Sequence, residues 1–552
     1  MNKIFHLLKK IYAGLIILAA VIICSNAVGF SIFAIISFSF YISLTLFFVF
    51  ITRRTTLSLV IASSLIICLQ LLNQIKVHFY KERLFFPDFY VASDPENFST
   101  LIHYPSALFY LVTLFIFLVI NFYLFWSKTR ISHKLRWVCL ILSAVLLITT
   151  IYISKQEQTN SLWQQFLPKG RGTIANLFIS SNQMSYEPPY YNSTSNYFLE
   201  KSSAIDNKTN NTALIPNKKP DIVVFLQEST VNPQLFNIQS SNVPRYDMFS
   251  QPNSNLMRVQ TFGGGTWLTE FAILTGLNSN DFSFRKNSVY YTVAPHVQTS
   301  LFKELNDNGY YTVVLSPMGY GNYNAGPSYT SFGMQQFFMP QDLGYQASKD
   351  ENLWKIPTQE LLDNVKTILE THTDKPLFIF VLSMNEHGPY DPNYADNAQL
   401  SKDIADQQFV GRFNDYLNKL KQLNLATKDF NNYIKQRNNP TLFVYFGDHQ
   451  PNLGWAGDYK TQLKQADYLT QYTLSSNYPI ELEHNELTDA SLISGLILEK
   501  SGVRYSDFYK ANVAMRYLCD GKLDDCADQK LVESYKHYIY QDLKSAGSAT
   551  KH

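Results

Sequence analysis

The sequence predicts a two-part protein: an N-terminal all-α transmembrane bundle of about five helices, then an α/β domain with a central, mainly parallel sheet. Three observations carry this reading. No Asp, Glu, Lys or Arg occurs from Ile11 to Thr52, enough apolar chain for two bilayer crossings of ~20 residues each. Beyond Pro220, short β-branched and aromatic runs alternate with amphipathic segments, the pattern of parallel strands joined by crossover helices. The length of 552 residues exceeds the usual single-domain size, so two units of different character are expected.

In the first part the turn between the first two spans falls at Asn26 to Gly29. Further apolar runs at Leu57 to Leu72, Pro105 to Trp126 and Trp137 to Ile153 complete five spans. Lys3, Lys9, Lys10, Arg53, Arg54, Lys128, Arg130, Lys134 and Arg136 then share one side, which the positive-inside rule makes cytoplasmic. Lys76, Lys81 and Arg83, in the opposite loop, are balanced by acids. An odd number of crossings puts the N-terminus in the cytoplasm and everything after Lys155 outside. A cleaved signal peptide is the alternative for the first run, but no clear cleavage site follows it.

The expected division is a transmembrane domain at 1–154, a linker at 155–219, an extracytoplasmic catalytic domain at 220–545 and a flexible tail at 546–552. The linker reading rests on a Ser/Asn/Thr/Tyr-rich composition. Cys519 and Cys526, close together in the exported part, form a short disulfide or remain two thiols. His484 is read as structural. A net charge of +2 predicts no nucleic-acid partner.

Four strands are clearest: Asp221 to Glu228, Tyr310 to Pro317, Pro376 to Asn385 and Thr441 to His449. Ligands of open α/β sheets bind at the carboxyl ends of strands, so chemistry is sought there. Those ends and one Gly-rich turn offer Glu228, Thr266 in FGGGTWLTEF, His387 in MNEHGPY, and Asp448 with His449. Singly each has an ordinary explanation as a cap, turn or surface residue. Jointly, two carboxylates, an imidazole and a hydroxyl suit a divalent cation: Mn²⁺ first, with Zn²⁺ or Mg²⁺ as alternatives. A threonine hydroxyl is protonated near neutral pH, and coordination would activate it as a nucleophile. Gly263 to Gly265 permit a sharp turn, and the helix that Thr266 opens favours an anion at its N-terminus.

This order of residues, Glu after the first strand, GGGT with Glu four residues beyond the Thr, an HGP-type His, then GDHQP, resembles the lipoteichoic acid synthase and phosphoglycerol transferase branch of the alkaline phosphatase (sulfatase-like) superfamily. The resemblance extends to the N-terminal spans and to FFPDFYVAS, and so covers nearly the whole chain. It implies that Glu228, Thr266, Asp448 and His449 bind the metal, that Thr266 is also the nucleophile, and that His387 holds the substrate phosphate. It further implies a bacterial inner-membrane location, a phospholipid donor such as phosphatidylglycerol, and an envelope glycan or glycerol phosphate acceptor. Where the family places Trp and Arg substrate contacts, this chain reads MGYGNYNAGPSYTSFG; Asn322, Tyr323 and Asn324 are the candidates there. A sulfatase would need a convertible Cys or Ser in place of Thr266. Phosphoethanolamine transfer and phosphodiester hydrolysis remain alternatives, and a non-catalytic membrane-anchored binding protein would be expected to lack one of the four ligands.

Overall fold

The computed structural model describes residues 2–25, 31–95, 105–126, 129–156, 172–182, 186–209, 218–238, 243–346, 353–372, 374–395, 406–482 and 486–548. The expected turn at Asn26 to Gly29, His484 and the last four residues of the tail lie outside them. The chain divides into two compact units, Met1–Tyr186 with Ser283–Arg285, and Glu187–Phe282 with Lys286–His552.

The first unit contains α1 (Asn2–Ser25), α2 (Ile32–Thr52), α3 (Thr55–Tyr80), α4 (Pro105–Leu124) and α5 (His133–Lys155). Four of these, all but α4, are long and apolar enough to cross a membrane. The count therefore differs from about five. The apolar segment of α4 runs over Leu108–Leu124, and its 17 residues stand at the short end of the roughly 17 to 25 that a crossing takes, so α4 fits the fifth crossing expected from the sequence as a short one. The third run is longer than expected, because α3 continues through Asn73 to Tyr80. Helices in lipid gain little from apolar contact with one another, so small and hydroxylated residues join them. Ser43 and Ser143 each donate to the other's carbonyl at 2.8 Å, and Thr150 donates to Ser39 Oγ at 2.9 Å.

The segment expected as a linker contains structure among its described residues. Helix α6 (Thr173–Ser181) belongs to the first unit, where the Thr173 hydroxyl donates to Gln70 at 2.6 Å and Asn176 donates to the Leu84 carbonyl at 3.0 Å. Helix α7 (Asn196–Thr209) belongs to the second. Its Phe198 is buried and Tyr197 donates to Asp528 at 2.7 Å. Polar composition disguised both, because their burial rests on a few aromatic and aliphatic residues. At the other end Ala546, assigned to the tail, is fully buried.

The second unit is built on an eight-stranded sheet of β1 (Asp221–Gln227), β2 (Ser254–Arg258), β3 (Tyr311–Leu315), β4 (Gln336–Phe338), β5 (Leu377–Leu382), β6 (Thr441–Gly447), β7 (Leu469–Ser476) and β8 (Thr488–Asp489), ordered β4-β3-β5-β1-β6-β7-β2-β8. Only β7 runs against its neighbours β6 and β2; every other pairing is parallel. The four expected strands are β1, β3, β5 and β6. Every residue of β1, β5 and β6 is buried, as continuous apolar runs require when helices cover both faces. On one face Val223, Phe225, Ile379, Val381 and Phe443 pack against residues of the helices Thr358–Thr371 and Gln407–Gln436. The order places β5, β1 and β6 side by side at the centre, with their carboxyl ends together.

Candidate active site

Each candidate leaves the sheet within a few residues of a strand end. Glu228 follows β1, and Asp448 and His449 follow β6. Register pairs Gln227 with Gly447, so Glu228 and Asp448 emerge side by side. A β-carbon at Gly447 would sit 1.8 Å from the Thr230 carbonyl oxygen; only glycine allows the two strand ends this approach. Thr266 comes from the other side, as the first residue of α8 (Thr266–Thr275). Gly263, Gly264 and Gly265 have φ values of 69°, 149° and 80°, a run of positive φ that side chains resist.

These elements bring four residues into one buried cluster. The Thr266 hydroxyl donates to Glu228 Oε2 at 3.1 Å. His449 Nε2 lies 3.4 Å from Glu228 Oε1 and 3.2 Å from Asp448 Oδ2. Glu228, Asp448 and His449 each offer a ligand atom within 4.8 Å of the others. Backbone amides of Ser229 and His449 hold Asp448 Oδ1 at 2.7 and 2.8 Å, and the Ser229 hydroxyl donates to Glu228 at 2.8 Å. His449 Nδ1 meets the Gln450 carbonyl at 3.0 Å, which leaves Nε2 facing the acids.

Asp448 Oδ2 and His449 Nε2 are buried without a hydrogen-bond partner, a costly state for polar atoms. Two orphaned ligand atoms, a second carboxylate and a hydroxyl fit a divalent cation, whose charge would satisfy them all. The two buried carboxyls also compete for charge. Burial and the Glu228 charge push the Asp448 carboxyl well up. Burial also pushes Glu228 up, but His387, His449 and two hydroxyl donors outweigh it and leave the group below the usual carboxylate range. Burial lowers His449 and keeps its ring a neutral ligand.

His387 sits at the rim, its Nε2 3.9 Å from Glu228 Oε1 and its side chain 17% exposed, against 1% for His449. Trp354 packs edge-on against its ring at 5.1 Å. Tyr323 donates to Glu270 Oε1 at 2.9 Å and its ring lies 5.6 Å from that of Trp267, the neighbour of Thr266. Asn324 donates to the Tyr290 carbonyl at 2.7 Å, and Asn322 contacts Met318 Sδ.

Sequence reasoning gave Glu270 no role. This fully buried carboxyl, one turn along α8 from Thr266, also accepts from Tyr290 and Tyr329 at 2.7 and 2.6 Å on Oε2. Burial pushes it up to about 7 against the opposing pull of the three phenols. Its position four residues after Thr266 was visible, but the tyrosines lie 20, 53 and 59 residues downstream. Glu386 was missed likewise; it is buried and accepts from Thr358 and Ser383, each at 2.6 Å.

A mainly parallel sheet with acids, imidazoles and a helix-opening threonine converging at its central strand ends is similar to a sulfatase domain. The Sulfatase family model matches residues 220–484. The chain is 34% identical over 564 residues to an uncharacterized protein of Haemophilus influenzae, covering 98% of this chain and all of that one; the two belong to one family. A Rhizobium meliloti protein named for cyclic beta-1,2-glucan modification is 27% identical over 252 residues, 43% of this chain and 36% of its own. Among solved structures, the Streptococcus pyogenes phosphoglycerol transferase GacH in complex with sn-glycerol-1-phosphate shares the fold, with a TM-score of 0.50, 18% identity, and coverage of 66% of this chain and all of that one.

Proposed function

We propose that the protein is a membrane-bound phosphoglycerol transferase of the lipoteichoic acid synthase-like branch, moving phosphoglycerol from a phosphatidylglycerol-like donor to an envelope glycan or polyol acceptor. The observation that carries this reading is the 3.1 Å contact between Thr266 Oγ1 and Glu228 inside a buried acid–histidine cluster with orphaned ligand atoms. Glu228, Thr266, Asp448 and His449 would hold a divalent ion, Mn²⁺ foremost, which when bound lowers the threonine pKa and neutralises charge on the transferring group.

Thr266 Oγ attacks phosphorus in line; the new O–P bond forms as the bond to the diacylglycerol oxygen breaks. The threonine proton passes to solvent, and His387 gives its proton to the departing diacylglycerol oxygen. A hydroxyl of the acceptor, losing its proton to His387, then displaces Thr266 from phosphorus; the threonine oxygen takes a proton back from solvent and the cycle closes. The GGGT turn fixes Thr266 at the head of α8, so the attacking oxygen needs little reorganisation. A lipid donor accounts for the apolar helices, and a catalytic unit on the outer face of a bacterial inner membrane, with the N-terminus inside, matches the basic flanks.

The test is intact-mass spectrometry of the full-length chain in detergent micelles with Mn²⁺ and phosphatidylglycerol or phosphatidylethanolamine, with peptide mapping around Thr266. A phosphoglycerol adduct on Thr266, absent in Thr266→Ala, is the expected result. A phosphoethanolamine adduct would replace the donor in this reading, and full transfer by Thr266→Ala would end the covalent scheme.

A further inference from the structure

Of the two buried carboxyls that sequence reasoning passed over, Glu386 stands next in the chain to His387 and is fully buried. It accepts from the Ser383 hydroxyl on Oε2 and from the Thr358 hydroxyl on Oε1, each at 2.6 Å. Thr358 is the first residue of the helix Thr358–Thr371, an end that favours negative charge. Ser383 directly follows β5 and carries the contact onward. Its amide donates to the Leu226 carbonyl at 3.0 Å, continuing the β5–β1 ladder past the strand end. Its Oγ accepts from the Glu228 amide at 3.1 Å. One chain of hydrogen bonds thus runs from the helix through Glu386 and Ser383 to the main chain of Glu228. That support falls where it is needed: the next residue, Ser229, has a φ of 51°, a conformation that non-glycine residues avoid.

We infer that Glu386 and Ser383 are positioning residues for the cation site: Glu386 orients the Ser383 hydroxyl, which in turn holds the Glu228 amide and so fixes the carboxylate that Thr266 meets. A serine hydroxyl has one proton, and Glu386 takes it, which leaves the Oγ lone pairs to the Glu228 N–H. Donation to a carboxyl also strengthens Oγ as an acceptor, because linked hydrogen bonds polarise one another. An apolar side chain would fill the same space without the desolvation of a carboxyl. Burial pushes Glu386 up, while the two hydroxyls and Lys419 oppose it. The rim histidine is held beside the same carboxyl, since Tyr390 donates to the Glu386 carbonyl at 2.9 Å and Lys419 to the His387 carbonyl at 2.8 Å. Groups that orient a metal ligand without touching the metal govern affinity, and their loss lowers it by roughly 10- to 100-fold. The inference rests on the cation site of the transfer reading above.

The test is calorimetric titration of the full-length chain in micelles with Mn²⁺, together with the electron paramagnetic resonance spectrum of the bound ion. Ser383→Ala should weaken Mn²⁺ binding by about tenfold and change the spectrum, and Ser383→Thr, which keeps the hydroxyl, should restore both. Glu386→Gln keeps the volume and should weaken Mn²⁺ binding in the same direction. The double variant Ser383→Ala/Glu386→Gln should lose no more than Ser383→Ala alone, because Glu386 acts through Ser383. Should Ser383→Ala fail to fold, Glu386→Gln and Ser383→Thr decide. Wild-type affinity and spectrum in both single variants, losses that simply add in the double variant, or no Mn²⁺ binding by the wild type would overturn the inference. So would a loss confined to the urea midpoint of the metal-free chain, which is what a purely structural role predicts. If Mn²⁺ binding follows the expected pattern while no phospholipid leaves an adduct on Thr266, the positioning role stands and the transfer reading falls.

Discussion

Glu270 shows how a single carboxyl can organise a site without touching the acid–histidine cluster. Its two oxygens gather three tyrosines from separate segments, and Tyr323, with a φ of 39° that non-glycine residues avoid, is held with its ring against Trp267. The cost appears in pH. The folded-state value of about 7 stands above the unfolded 4.5, so the folded chain binds this proton more tightly. The stability it contributes is full below pH 4.5 and is lost as pH rises to 7. The shift corresponds to about 3 kcal/mol. Glu270→Gln keeps the shape and removes the proton. The wild-type minus variant stability, from urea midpoints, should therefore fall by about 3 kcal/mol from pH 4.5 to 7.5; a flat difference would show that Glu270 titrates in the folded chain as it does in the unfolded one.

At the scale of elements, the approach of β1 to β6 is the tightest constraint near the site. Gly447→Ala would drive a methyl group into the Thr230 carbonyl, prising Glu228 from Asp448. Urea unfolding should show a loss of about 3 kcal/mol or more, as overpacking at an unyielding backbone costs; a loss under 1 kcal/mol would mean that the strand ends can part freely. Strands β1, β3, β5 and β6 were legible because both faces are covered and their apolar runs are unbroken. Strands β2, β4, β7 and β8 were not: SNLMR, QFF, LTQYTLSS and the two-residue β8 are short or polar, and their place is set by neighbours. Helices α6 and α7 were hidden in a polar segment for the same reason. The four residues of the buried cluster were readable from strand-end position and the GGGT turn. The Glu270 tyrosines were not, because only folding brings together residues 20 to 59 positions apart along the chain.

For the whole molecule, the Cys519–Cys526 disulfide joins stability to topology. The loop it closes carries Asp524 and Asp525, and Asp525 pairs with buried Arg258, which Asp489 also grips at 2.6 and 2.9 Å. Arg258 ends β2, eight residues before Thr266. Closing so short a loop contributes about 2.5 kcal/mol on the chain-entropy account. If the second part faces outward, as proposed above, these cysteines meet an oxidising compartment. Rapid alkylation of cells should therefore find this pair oxidised, and Cys519→Ser/Cys526→Ser should unfold at lower urea. A pair found reduced in cells would refute the outward orientation.

The unpartnered Asp448 and His449 atoms carry a consequence for the protein's lifetime in the cell. On the proposed reading a bound divalent cation would partner both atoms, so ion supply would bear on folding as well as on chemistry. At a free ion concentration 1,000 times the dissociation constant, binding adds about 4 kcal/mol to the folded state. Cells starved of divalent metal should accordingly degrade this chain faster, and its steady-state abundance should fall. Pulse-chase turnover with and without a chelator, compared with Asp448→Ala, would read this directly: the variant's half-life should be short and indifferent to metal.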